Sequence, residues 1–143
     1  MEINPIILAV GSMIFFGVGG FLTKYLLSDI EPVTLYLGEF LVGLFLLSMF
    51  LLLTGTRLNL EKLTAANYAG IFVLSAIFFF AILMFYHALA KSDASKVMPI
   101  VNLNTLIVVA LAVIILGEKL SINTKAAIVL SIIAIYLFSI ETG

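Results

Sequence analysis

Apolar residues fall in long blocks along this chain, interrupted only where charged residues, glycine or proline gather. A helix needs roughly 20 mainly apolar residues to cross a hydrocarbon core of about 30 Å. Five blocks meet that requirement, at about 5–27, 33–54, 67–90, 95–117 and 124–140. Between them lie Ser28-Asp29-Ile30-Glu31-Pro32, the stretch from Gly55-Thr56-Arg57 to Asn67, Lys91-Ser92-Asp93 and Gly117-Glu118-Lys119-Leu120-Ser121, all rich in turn and charge signals. Loops this short make consecutive helices antiparallel neighbours. The pattern predicts an all-α, polytopic membrane protein, a bundle of five transmembrane helices in which residues 1–143 form a single domain.

The ends and interruptions of these blocks carry more detail. Asp93 is placed to cap the fourth helix, and Ser121 or Asn123 the fifth, by accepting hydrogen bonds from the first free backbone N–H groups. Pro99 lies several residues inside the fourth helix, where it removes a backbone donor and predicts a kink or a freed carbonyl. A packing kink and a functional break both fit. Gly11, Ser12, Gly17, Gly19 and Gly20 crowd the first helix, as small residues do where helix backbones approach closely in lipid. Gly17, Gly20 and Lys24 also share one face, so the same glycines can leave room beside a charge.

Composition makes lipid the main solvent. Hydrophobic residues are 64% and charged residues 10%, with a mean hydropathy of +1.30, where soluble domains have about 45–50% and about 25%. The net charge of -1 and the lack of a basic run exclude nucleic acid as a partner. With no Cys and one His, and no HExxH, GxSxG or P-loop pattern, the chain offers no catalytic constellation, metal site or cofactor site. The N-terminus, Met1-Glu2-Ile3-Asn4, lacks a cationic leader, and the block after it exceeds the ~15 apolar residues of a signal peptide. It reads as a retained first helix.

With the N-terminus on a side called A, five crossings put the C-terminus on side B. Arg57, Lys62, Lys119 and Lys125 lie near side A, and Lys24, Lys91 and Lys96 near side B, four against three. Orientation follows an excess of Lys and Arg in cytoplasmic loops. So even a balance allows either a weakly fixed topology or insertion in both orientations.

Ionisable side chains inside a span are costly and face a cavity or a partner. Glu39 lies about two turns into the second helix, Lys24 about one turn from the end of the first, and His87 about one turn from the end of the third, all toward side B. Lys24 and Glu39 fall at comparable depths and are able to pair. Lys24 can also snorkel to the interface, and His87 can be an interfacial histidine. Glu39 shares a face with Tyr36 and Gly43 and is the strongest cavity-lining or coupling candidate. In the fourth helix, Asn102 shares a face with Ser95 and Pro99, which favours it over Asn104 for contact with a solute. Tyr25, Tyr36, Tyr86 and Tyr136 cluster toward side B, as an interfacial belt or a vestibule wall. Phe78-Phe79-Phe80 goes around its helix and reads as lipid and packing contact.

From Tyr86 onward the chain reads YHALAKSDASKVMPIVNLNTLIVVALAVIILGEKLSINTKAAIVLSIIAIYLF. This stretch, with Pro99 in the fourth helix and Gly117-Glu118-Lys119-Leu120-Ser121 before the fifth, resembles the EamA domain of the drug/metabolite transporter superfamily. The earlier half matches in the order of its spans and in Lys24. The resemblance implies transport of small organic metabolites or drugs in the cell membrane. Two departures stand out: Glu39 occupies a place where many members carry Arg, and Ala126, Ala127, Ser131 and Ala134 replace the usual glycines of the fifth helix. Glu118, the family's recurrent acidic residue, reads physically as a contact near the start of the fifth helix.

Most members look like ten-helix chains built of two five-helix repeats, and this chain is one repeat. An odd number of crossings makes fused repeats inverted, with the substrate site between them. An antiparallel homodimer, or pairing with a sister half, rebuilds that arrangement. The expected function is therefore a secondary carrier working by alternating access, coupled to protons. Its pocket is formed by Lys24, Tyr36, Glu39, His87 and Asn102, with Pro99 as the helix break. The alternative is an accessory subunit that does not itself transport.

Overall fold

The computed structural model describes residues 4–140. The outer ends of the 1–143 domain and the Met1-Glu2-Ile3 start lie outside the described residues. The described chain is helical throughout and has no strand, in the order α1 (Pro5–Leu26), α2 (Pro32–Thr54), a short 3₁₀ turn (Leu60–Lys62), α3 (Ala65–Lys91), α4 (Ala94–Val101), α5 (Asn104–Leu116) and α6 (Ile122–Ile140). It divides into two compact units at Lys91, and each is described separately below.

Local chemistry fixes the boundaries. Asn4 caps α1 by accepting the Ile6 N–H at 2.9 Å, and Pro5 fits the first helical position, where no amide donor is needed. Pro32 starts α2 in the same way, and Gly55 ends it at φ 62, a left-handed conformation that glycine adopts without a Cβ penalty. The third helix starts two residues before the expected position because Thr64 and Asn67 cap each other: Asn67 Oδ1 accepts the Thr64 N–H at 2.9 Å, and Thr64 Oγ1 accepts the Asn67 N–H at 3.3 Å. This is a capping box with Asn in the place of Glu or Gln. Ser121 caps α6 by accepting the Thr124 N–H at 3.1 Å, so of the two expected caps Ser121 serves and Asn123 lies inside the helix.

Asp93 holds the N-cap position of α4, but its side chain makes no capping bond. Its carboxylate lies 3.7 Å from Lys96 Nζ. That attraction replaces the predicted cap.

The expected single fourth helix is divided at Asn102-Leu103. Pro99 has no N–H to give Ser95, and the following bonds tighten: Leu103 N–H bonds to Ile100 O, Thr105 N–H to Asn102 O and Leu106 N–H to Leu103 O, each three residues back. The chain still runs from Ala94 to Leu116 as one apolar stretch of 23 residues.

Four helical stretches, 5–26, 32–54, 65–91 and 94–116, are long and apolar enough to cross a membrane, and α6 adds a shorter apolar helix over Ile122–Ala134. Large apolar side chains stand exposed along all of them, from Phe15 and Phe16 to Ile114 and Leu130. Water does not tolerate such a surface; lipid does. The chain is an integral, multi-pass membrane protein.

In the first unit α3 packs against both α1 and α2. The buried side chains Thr23 and Leu27 of α1 and its C-terminal turn, Leu35 of α2, and Tyr86 and Leu89 of α3 all lie toward side B. Leu89 is fully buried. The close backbone approach expected at the first-helix glycines is not made among the described residues at Gly11, Gly17 or Gly19, where a Cβ would meet nothing within 4 Å. In the second unit α4 packs against α6.

Candidate functional site

The first cluster of polar groups sits at the side B end of the first unit. Lys24, in the last turn of α1, donates from Nζ to the Leu89 carbonyl at 2.6 Å. The Tyr86 hydroxyl, one helical turn before Leu89 on α3, donates to Glu39 Oε2 on α2. Thr23 is a further hydrogen-bonding neighbour of that hydroxyl. Tyr36 stands one turn before Glu39 on α2, edge-on to Tyr86 with ring centroids 6.3 Å apart and to Phe79 at 5.8 Å. The sequence puts Lys24 and Glu39 at comparable depths, able to pair; in the structure both bond to α3, at positions three residues apart.

These contacts match the physics of a span. An ammonium or carboxylate in hydrocarbon needs a partner, and α3 supplies one to each from a single helical face, since i and i+3 are neighbours. Glu39 remains exposed on the single chain despite its bond to Tyr86. Tyr86 is buried and Tyr36 half-buried, so the carboxylate is held against an aromatic wall with its other side open. His87 is exposed on α3, about 100° around the helix from Tyr86.

The second cluster belongs to the second unit and surrounds the break in the fourth span. A cleft of 510 Å³ is lined there by Pro99, Asn102, Thr105 and Leu106 on one side and by Thr124, Ala127 and Ser131 of α6 on another. Pro99 and Asn102 share this cleft, as their common helix face predicts. Asn104, which the sequence sets aside, is not among the lining residues.

Thus Lys24, Tyr36 and Glu39 gather in the first unit, and Pro99 and Asn102 in the second. Sequence reasoning missed the role of Tyr86, read as belt or vestibule, and of Leu89, whose contribution is a backbone oxygen. It also missed Thr105 and Thr124. The available signal was spacing: Tyr86 and Leu89 are one turn apart, as are Asn102 and Thr105.

The profile of the EamA-like transporter family matches residues 3–140. An uncharacterized protein of Methanocaldococcus jannaschii is 32% identical over 139 residues, covering 96% of this chain and 98% of that one. No solved structure matches.

Proposed function

Because the chain belongs to the EamA-like transporter family, we propose that it is a secondary carrier for small organic metabolites or drugs in the cell membrane, working by alternating access and coupled to protons through Glu39. The observation that carries this reading is the Tyr86–Glu39 bond: a carboxylate inside a span, held from a neighbouring helix yet exposed on its other side. A carboxylate inside a span marks a solute or coupling-ion pathway by default. Lys24 fixes the same end of α3 from α1. Tyr36 supplies an aromatic face to a solute beside Glu39.

The exposure of Glu39 also supports a second copy as the other wall of the cavity. With five short-looped crossings per chain and flanking cations of four against three, an antiparallel homodimer completes the carrier from one sequence. Single cysteines at Asp29 and Asn59, in a chain with no native Cys, give the topology by labelling with an impermeant maleimide. Each site is expected to label from both faces of the membrane; one orientation for every molecule would rule out the antiparallel dimer.

The coupling is tested in proteoliposomes with an imposed pH gradient and a solute identified by thermal stabilisation of the purified protein. Glu39→Gln is expected to lower gradient-driven uptake by about tenfold or more while leaving the protein folded. Unchanged uptake would remove Glu39 from the coupling step.

A further inference from the structure

We infer that the cleft of the second unit is a binding site for an uncharged, drug-sized organic solute that carries hydrogen-bonding groups on an apolar body. The inference rests on the carrier reading for its biological sense, but the site is defined by its own geometry. Its 510 Å³ lies within the ~300–1,000 Å³ of small-molecule sites. The lining is mostly apolar, from Leu106, Val109, Ala127 and Ile128, with polar groups interspersed along it.

Those polar groups are all neutral. Asn102 contributes a carboxamide, and Thr105, Thr124 and Ser131 contribute hydroxyls; no Lys, Arg, Asp, Glu or His lines the cleft among the described residues. A charged ligand would meet no counter-charge on this lining. Three of the four groups already have a local partner. Ser131 donates to the Ala127 carbonyl at 2.9 Å, Thr124 pairs with Ser121 at 2.8 Å, and Thr105 bonds Asn104 at 3.3 Å. Each retains acceptor capacity. The Asn102 carboxamide, exposed at the cleft, makes no side-chain hydrogen bond within the described residues, so it is the group left available to a solute. A lipid tail cannot supply it with a hydrogen bond.

The backbone adds a second reason. Leu103 and Thr105 direct their N–H groups three residues back, so the Pro99 and Val101 carbonyls lack the donors that a regular helix would give them. Irregular backbone at membrane depth persists where it lines a cavity, and Pro99 borders this one.

The test uses the purified full-length protein and four probes of one shape: 2-naphthamide, naphthalene, 2-naphthoate and 2-naphthylmethylamine. Thermal unfolding is followed by helical circular dichroism, which does not require transport. At equal concentration 2-naphthamide is expected to raise the midpoint and the other three to raise it less. Asn102→Leu is expected to weaken the apparent affinity for 2-naphthamide about tenfold. If Asn102→Leu fails to fold, Thr105→Val, which keeps the side-chain volume, is expected to weaken it about threefold.

Equal stabilisation by naphthalene would make the cleft a lipid slot, and equal stabilisation by either ion would remove the neutral selectivity; each overturns the inference. So does the absence of any shift, or a shift that the Asn102 and Thr105 variants leave intact. A disulfide joining two copies through Ala127→Cys would show protein in place of a ligand, and would also overturn it. Failure of Glu39→Gln to alter uptake leaves this site untouched, and an unresponsive cleft leaves the Glu39 coupling untouched.

Discussion

Among the described residues, the unit of residues 1–91 ties Lys24 and Tyr86 across helices beside its local bonds, whereas Ser131, Thr124, Thr105 and Lys96 in the second unit bond locally. In the first, Lys24 reaches Leu89 and Tyr86 reaches Glu39, bonds that join positions 65 and 47 residues apart. In the second, Ser131 bonds Ala127, Thr124 bonds Ser121, Thr105 bonds Asn104, and Lys96 faces Asp93, all within four residues. The difference separates two uses of polarity in lipid. Cross-helix bonds fix how helices stand against one another, because lipid tails provide no hydrophobic incentive for association. Local bonds satisfy the side chain and leave the space between helices available, as in the cleft beside Asn102.

Lys24→Met tests the comparison most severely. It removes an ammonium bonded to a carbonyl beneath the fully buried Leu89 side chain. A hydrogen bond to a charged group contributes about 1.5–3 kcal/mol, and that loss is expected in unfolding titrated with a denaturing detergent. The counterpart in the second unit, Lys96→Met, removes an exposed pair at 3.7 Å, and is expected to cost about 0–1 kcal/mol. Equal effects would mean that Lys24 only snorkels and that the two units do not differ in this respect.

Most helix limits were legible because the punctuation is local: Pro32, Gly55, Ser121 and the Pro99 interruption act within a turn of where they stand. Thr64 was missed because Asn67 stands in for the usual Glu or Gln of a capping box. Asp93 misled because its neighbour Lys96 competes for the carboxylate. The candidate site was legible in part. Glu39, Lys24 and Tyr36 stand out as polar or aromatic residues in apolar blocks, and Asn102 is marked by sharing a face with Pro99. Leu89 carries no mark, since any residue offers a carbonyl. Blocks that are apolar all round have no stripe to show which face packs, so the role of Tyr86 as the link between α2 and α3 waited for the structure.

Pro99→Ala sharpens the comparison from the other side. An alanine N–H can bond the Ser95 carbonyl and let the fourth span regain its four-back pattern, for a gain of about 1 kcal/mol. Since Pro99 lines the cleft, the more regular helix is expected to narrow it and to reduce stabilisation by 2-naphthamide severalfold. Stability and binding should therefore move in opposite directions, as at sites whose strain serves function. The equivalent change in the first unit, Gly17→Ala, fills open space next to α1 and is expected to leave the cleft unaffected.

The smallest effect isolates one hydroxyl. Tyr86→Phe keeps the ring that stands edge-on to Tyr36 at 6.3 Å and removes the donor to Glu39. Side-chain hydrogen bonds between membrane helices average about 0.6 kcal/mol and reach at most about 1.7, so the single variant is expected to lose about that much. A double-mutant cycle with Glu39→Leu, read by unfolding, separates the bond from the packing that either residue also provides. A coupling of about 0.6 kcal/mol identifies the hydroxyl as the link between α2 and α3. Ser131→Ala paired with Thr105→Val provides the contrast: both side chains bond within their own segments, so their effects should add without coupling. Coupling in the second pair, or none in the first, would reverse the distinction between the two units, and the coupling energy would then have to be sought around the cleft.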